Sequence, residues 1–343
     1  MLISAVALLP AVAFAHVKWF VNYDLLAPPR PVLGIVLSHY FLLFALVVAP
    51  LIFAVSLLDS YLTRRRSMLG GWVGALEDRV SANFPLLLRL GVSGFFTAVF
   101  AYGCLHDWMI LTPELRTHSS WICWIQLAVA ICALKERTAA IAGIGIFFLY
   151  VFGVSQYGLF HMLDYPIFLG VAAFLVVQSV YGEKGHDAAL SAVRVCTAIT
   201  LLWASIEKFA FPEWSFMLMA DRPGLALGFD PEFYMIAAGF VEFCAAFLLL
   251  TGSIAARAAA LLLLLMFASA IVPFGVIDAI GHSVILVVLM LLIFSDNRVA
   301  RQFGVQGRPG LTATLHTSIF VGALLLFFVL YYCGYYLSYT SSV

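Results

Sequence analysis

Ten apolar runs, each long enough to cross a bilayer and parted only by short gaps, constrain this chain more than any single motif. They lie at about 32–58, 84–104, 118–134, 138–157, 160–182, 189–209, 232–252, 255–276, 279–295 and 312–338. Runs of this length and apolarity read as membrane helices, because lipid satisfies no backbone hydrogen bonds and only a helix satisfies its own. The composition agrees: 64% of the 343 residues are hydrophobic and 10% are charged, too apolar for a water-soluble globule. The expected fold class is an all-α polytopic membrane protein of 10–11 spans, and no gap has room for a soluble domain.

The eleventh candidate is residues 1–15. This run ends in Ala13, Phe14 and Ala15, the small-x-small form of a signal-peptidase site, but it lacks a basic leading region. It is either a cleaved signal or a short extra helix, and both place His16 on the outer side. Pro28, Pro29 and Pro31 then make 17–31 an extended outer segment. Thirteen of the eighteen lysines and arginines fall on one side of the alternating spans, and the other side keeps only Lys18, Arg30, Arg116, Lys208 and Arg222. Basic loops stay cytoplasmic, so the expectation is a bacterial-type inner membrane protein with its carboxy terminus outside. Residues 59–83, with mixed apolar and charged character, suggest a short helix lying on the inner membrane surface.

Lysine plus arginine equals aspartate plus glutamate, at 18 each, so no basic surplus exists to hold nucleic acid. The six cysteines form no C-x-x-C pair, and no phosphate loop, nucleophile elbow or nucleotide fingerprint occurs.

The chain also carries an internal duplication, with landmarks recurring in order. Arg89 answers Arg194, Asp107-Trp108 answers Glu213-Trp214, and Pro113-Glu114 answers Pro231-Glu232. Gln126 then answers Glu242, Arg137 answers Arg257, Phe152-Gly153-Val154 answers Phe274-Gly275-Val276, and His161 answers His282. Two four-helix units follow, repeat A at 84–182 and repeat B at 183–296. An even number of spans makes them parallel copies about an axis along the membrane normal. Residues 1–31 form the signal-like run and outer segment, 32–83 the first long span with the surface segment, and 297–343 a cytoplasmic loop and last span.

Repeat B resembles the DoxX/DoxD-like membrane proteins through Ala204-Ser205-Ile206-Glu207-Lys208-Phe209, followed by Pro212 and Trp214. Gly239 to Gly252 and the run Ala255-Ala256-Arg257 extend the likeness, and repeat A matches more weakly. The resemblance implies a redox-associated membrane subunit, in some members the quinone-linked part of a thiosulfate-oxidising enzyme, working with an external partner. Repeat A has Tyr102-Gly103 where repeat B has Glu207-Lys208.

Six of the eight histidines, together with Asp107, Asp164, Glu207, Lys208, Glu213, Glu242 and Asp278, fall in the outer half. Quinone reduction needs groups that give and take protons near the interface, so this half is the expected site. Glu207, Lys208, Glu242 and His282 are the candidate catalytic residues; His161, Asp164, Trp214 and Asp278 are candidates for holding the quinone. Bland readings stand beside these. Lys208 and Glu242 can simply pair across two helices, since a bare carboxylate ten residues into a span is costly. Each histidine can satisfy a helix end, and Asp278 can be a helix cap. Trp19, Trp108, Trp121, Trp124 and Trp214, with the run from Tyr331 to Tyr339, fit an interfacial aromatic belt. A metal set would combine His16, His106, Asp107 and His118, whose spacing fits no compact ligand motif, and haem is not indicated.

The expected function is therefore a redox-associated subunit exchanging electrons and protons between quinone and a periplasmic protein or donor, in contact with the lipid bilayer and open to homo- or hetero-oligomers. A small-solute transporter is the rival, set back by nearly uniform apolarity in the inner halves of the helices. A non-catalytic anchor or assembly scaffold is the third.

Overall fold

The computed structural model describes residues 17–21, 23–24, 26–65, 71–305 and 307–339. The apolar run 1–15 and His16 lie outside the described residues, as do 340–343. Thirteen α-helices are found among the described residues: α1 (Val32–Val36), α2 (His39–Arg65), α3 (Gly71–Gly103), α4 (Ile122–Leu134), α5 (Ala139–Met162), α6 (Pro166–Tyr181) and α7 (His186–Ala210). They continue with α8 (Glu213–Asp221), α9 (Pro231–Thr251), α10 (Ile254–Phe274), α11 (Val276–Phe294), α12 (Ala300–Phe303) and α13 (Pro309–Tyr339).

Among the described residues, eight helical stretches are long and apolar enough to cross a membrane. One of them, Pro166–Ala210, folds back at Gly182, whose φ of 54° suits glycine, and so contains both α6 and α7. The shorter apolar α4 completes ten helices that coincide with the ten runs. This is the architecture of a multi-pass membrane protein.

Eight of the helices close a circle of neighbours. Following the chain, α3, α4, α5, α6, α7, α9, α10 and α11 each pack on the next, and α11 returns to α3. The remaining pair, α2 and α13, pack on each other, with α2 against α9 and α13 against α7 and α5. Small residues let the contacts close. A Cβ added at Gly170 of α6 would meet the Ala192 carbonyl oxygen at 3.0 Å and Cys196 Cβ at 2.7 Å on α7, so the two backbones touch with little between them.

Several expectations change. The stretch expected as a separate surface helix continues into α3 from Gly71, so a boundary at 83/84 falls inside one helix. Between α3 and α4, Trp108–Met109 pairs with Arg116–Thr117, and Met109, Ile110, Leu111 and Leu115 are buried. Two positive-φ glycines break the helices: Gly158 (φ 81°) interrupts α5 and Gly275 (φ 73°) parts α10 from α11. His161 lies in the short turn after the first break, whereas His282 lies in the second turn of α11.

The aromatic belt is corrected as well. Trp121 and Trp124 are exposed, but Trp19, Trp214, Tyr331, Tyr332 and Tyr335 are buried. The tyrosines on α13 are turned inward by hydrogen bonds: Tyr332 donates to the Arg30 carbonyl and Tyr335 to the Ala27 carbonyl. The inner halves are not uniformly apolar either, since Asp59, Arg194, Asn297 and His316 are buried at the end opposite Lys18.

Candidate functional site: a buried acid–base cluster beneath the amino-terminal strap

The described residues of the segment 17–31 cross one end of the helix circle as a strap. Its proline-rich part resists helix formation, and its polar side chains decide where it sits. Arg30 binds Glu213 at the start of α8 and Glu232 in the first turn of α9, the latter at 3.0 Å, while its backbone N–H donates to the Ala210 carbonyl. Trp19 covers Gly281, where an added Cβ would meet the indole at 2.2 Å, and its ring lies 4.7 Å from that of His282.

Lys18 enters deepest. Its ammonium, 4% exposed, bridges Asp164 Oδ2 at 2.6 Å and Glu207 Oε2 at 2.5 Å, with the faces of Trp214 and Tyr23 at 5.5 and 5.8 Å. A buried cation held by two carboxylates and two rings is well compensated, and removing it leaves two buried charges unpaired.

Beside it, Glu114 collects two hydroxyl donors and an imidazole contact. Tyr23 and Tyr165 each donate a phenolic hydrogen bond to its carboxylate, and His161 Nε2 stands 3.0 Å from Oε1. Burial alone would raise the Glu114 pKa, but the charges of Lys18 and His161, with the hydrogen bonds from His161 and Tyr165, outweigh burial and hold it well below the ordinary carboxylate range. Burial likewise opposes the charge on Lys18, yet Asp164, Glu207 and Glu114 raise its pKa well above the ordinary value. The Tyr23 and Tyr165 hydroxyls are pushed up by burial first and by Glu114 second, so both remain donors.

Two more buried pairs complete the set. Lys208 on α7 binds Glu242 on α9, and Glu242 is within electrostatic range of His282 and Asp164. Asp278 lies 2.9 Å from His282 Nδ1. Asp278 is thus not a helix cap: Gly275 occupies that position, and the Asp278 carboxylate is spent on the imidazole one turn on.

All eight residues singled out in the sequence therefore gather at one end of the molecule. Glu207, Asp164 and Trp214 meet at Lys18; His161 joins through Glu114; Lys208 and Glu242 pair; His282 and Asp278 pair beneath Trp19. Glu207 and Lys208, adjacent in sequence, face different partners. The sequence reading missed Lys18, Glu114, Tyr23, Tyr165 and Tyr331, whose hydroxyl is 3.5 Å from Glu207. A signal existed for Lys18, one of only five basic residues on its side. Glu114 was noted only as a repeat landmark, because nothing local marks it as buried.

Of the residues weighed as an alternative metal set, Asp107 pairs with Arg116 at 3.6 Å, and His16 lies outside the described residues. An open cleft of about 700 Å³ lies over the cluster, lined by Lys18, Trp19, Phe20, Tyr23, Pro113 and Glu114 among others. Five carboxylates share two ammonium groups and two imidazoles here, so the set as a whole can take up or release protons as its surroundings change. No family model matches this chain, and comparison with curated proteins and with solved structures finds no match.

Proposed function

We propose that the chain is a membrane-embedded, redox-associated subunit whose strap-covered cluster exchanges protons with a quinone headgroup in the overlying cleft, electrons being passed to or from an external protein or small donor. The observation that carries the reading is the convergence of Tyr23, Tyr165 and His161 on Glu114, next to Lys18, at the base of an open cleft. The cleft fits a single ring: its walls are the aromatic Trp19, Phe20 and Tyr23, and Lys18, with two of its three ammonium hydrogens on Asp164 and Glu207, keeps one to donate to a carbonyl oxygen. Buried His161 Nδ1 and Asp164 Oδ1 have no hydrogen-bond partner among the described residues, leaving acid–base capacity in place. A quinone bound there would supply the two-electron, two-proton couple.

The chain's own residues do the rest. Tyr23 and Lys18 orient the ring, Glu114 relays protons between Tyr23 and His161, and Asp164 and Glu207 keep Lys18 charged and fixed. The closed neighbour order, with α6 against α7 and α11 against α3, supports reading the eight helices as two tandem DoxX-like units, since exchanging the units maps each of those contacts onto the other. Purification with analysis of bound quinone, and quinone reduction with candidate periplasmic donors, tests this function. Absence of both in a folded protein would count against it.

One observation favours transport of a small solute as a second reading: buried polar groups at both ends of the circle. A liposome flux abolished by Glu242→Gln would support it.

A further inference from the structure

At the same end as Lys18, a second cavity of about 310 Å³ lies beside the cleft, between the end of α3, the hairpin at 108–117 and the start of α11. The two share a wall, since Pro113 and Arg116 line both. One face of α11 runs along the pair. An added Cβ at Gly281 would meet the Trp19 indole at 2.2 Å and Pro113 Cδ at 3.0 Å, so the bare glycine lets strap and hairpin both close on the helix there. Ile277 lies one turn earlier on that face and lines the second cavity. A ligand that extends from the cleft along Pro113 therefore reaches Ile277 next.

The second cavity is amphipathic. Tyr102, Met109, Pro113 and Ile277 give it an apolar wall, and the hairpin behind that wall is fixed by Gln126 Nε2, which donates to the Met109 and Ile110 carbonyls. Arg116 and Asp107, 3.6 Å apart and both exposed, stand on its rim. Leu105, Val272 and Val276 belong to the same helix ends and are 80%, 86% and 69% exposed, the surface a lipid-facing seam presents. A chain lying in this cavity has a polar rim on one side and lipid within reach on the other.

We propose that the second cavity receives the start of an isoprenoid tail, so that the substrate is a membrane-resident prenylquinone rather than a soluble redox molecule. The ring sits in the cleft against Trp19 and Tyr23, and the tail passes Pro113 and Ile277 and leaves along the seam between α3 and α11. Both cavities fall within the size range of small-molecule sites. This inference rests on the quinone reading of the cleft and names the class of quinone it takes.

The test uses the purified full chain in one neutral detergent, with binding followed by quenching of tryptophan fluorescence. The probes are a ubiquinone analogue with no side chain and the same ring carrying two isoprenoid units. The quantity read is the ratio of their dissociation constants, because partition into the micelle affects wild type and variant alike. Ile277→Phe, which fills the passage, should shrink the advantage of the tailed analogue about tenfold while the bare ring still binds. Val272→Phe, exposed and outside the cavity lining, should keep the wild-type ratio. A photoreactive diazirine on the first isoprenoid unit, which needs no variant, should label Tyr102 or Ile277. Binding of the ring with the same ratio in wild type and Ile277→Phe, or labelling confined to other parts of the chain, would overturn the tail passage and leave the quinone reading standing. Failure of both analogues to bind would remove the two together.

Discussion

Glu114 and Lys18 give the molecule a defined response to pH. The Glu114 pKa is depressed in the folded state, so its contribution is present above the unfolded value of 4.5 and lost as pH falls through that value toward the folded one. Lys18 has the opposite sign: its pKa is raised, so its contribution is complete below the ordinary 10.5 and lost only as pH rises beyond it. Stability in detergent should therefore hold from neutral pH to about 5 and fall below about 4.5. Glu114→Gln should be less stable at pH 7 by roughly 1–3 kcal/mol, through weakened hydrogen bonds to buried partners, and should show a shallower acid decline. Thermal unfolding from pH 7 to pH 3 reads both; equal acid declines would refute the assignment. Lys18→Met leaves Asp164 and Glu207 facing each other without their cation and should cost about 3–5 kcal/mol. Asp164→Asn combined with Lys18→Met should recover part of that loss, a coupling measurable by a double-mutant cycle.

At the scale of elements, the kink at Gly158 turns the end of α5 so that His161 reaches Glu114. An added Cβ there meets nothing within 4 Å, so Gly158→Ala carries only the backbone penalty of its φ, about 1–3 kcal/mol. Gly170→Val is different, because it must part α6 from α7 or shift both, and it should unfold the protein at markedly lower temperature than Gly158→Ala. Thermal midpoints of the two variants in the same detergent check this order. The long helices were legible from hydropathy alone, since a span must be continuously apolar whatever it packs against. The hairpin at 108–117 was not, because two-residue strands carry no period. Nor was the fusion of 71–83 with α3: its charged residues interrupt the apolar run without breaking the helix.

Across the whole molecule, the strap ties the circle of helices together, reaching α8 and α9 through Arg30, α13 through Tyr332 and Tyr335, and the α5–α6 corner and α7 through Lys18. Which acids lie at this end was readable from span ends and loop charge. Which cation they meet was not, because Lys18 is 146 residues from Asp164 and its burial depends on the strap folding back. Arg30→Ala, which loosens the strap without touching the cluster, should expose Lys18 to amine-reactive labelling that wild type resists.

The central claim is that Glu114 and its donors form the base of a quinone-headgroup site, and Trp19 and Trp214 lie close enough to report on it. Titrating a soluble short-chain ubiquinone analogue into the purified chain should quench tryptophan fluorescence saturably. The dissociation constant should rise about tenfold or more in Glu114→Gln. Absence of saturable quenching, or identical binding by wild type and Glu114→Gln, would contradict the account.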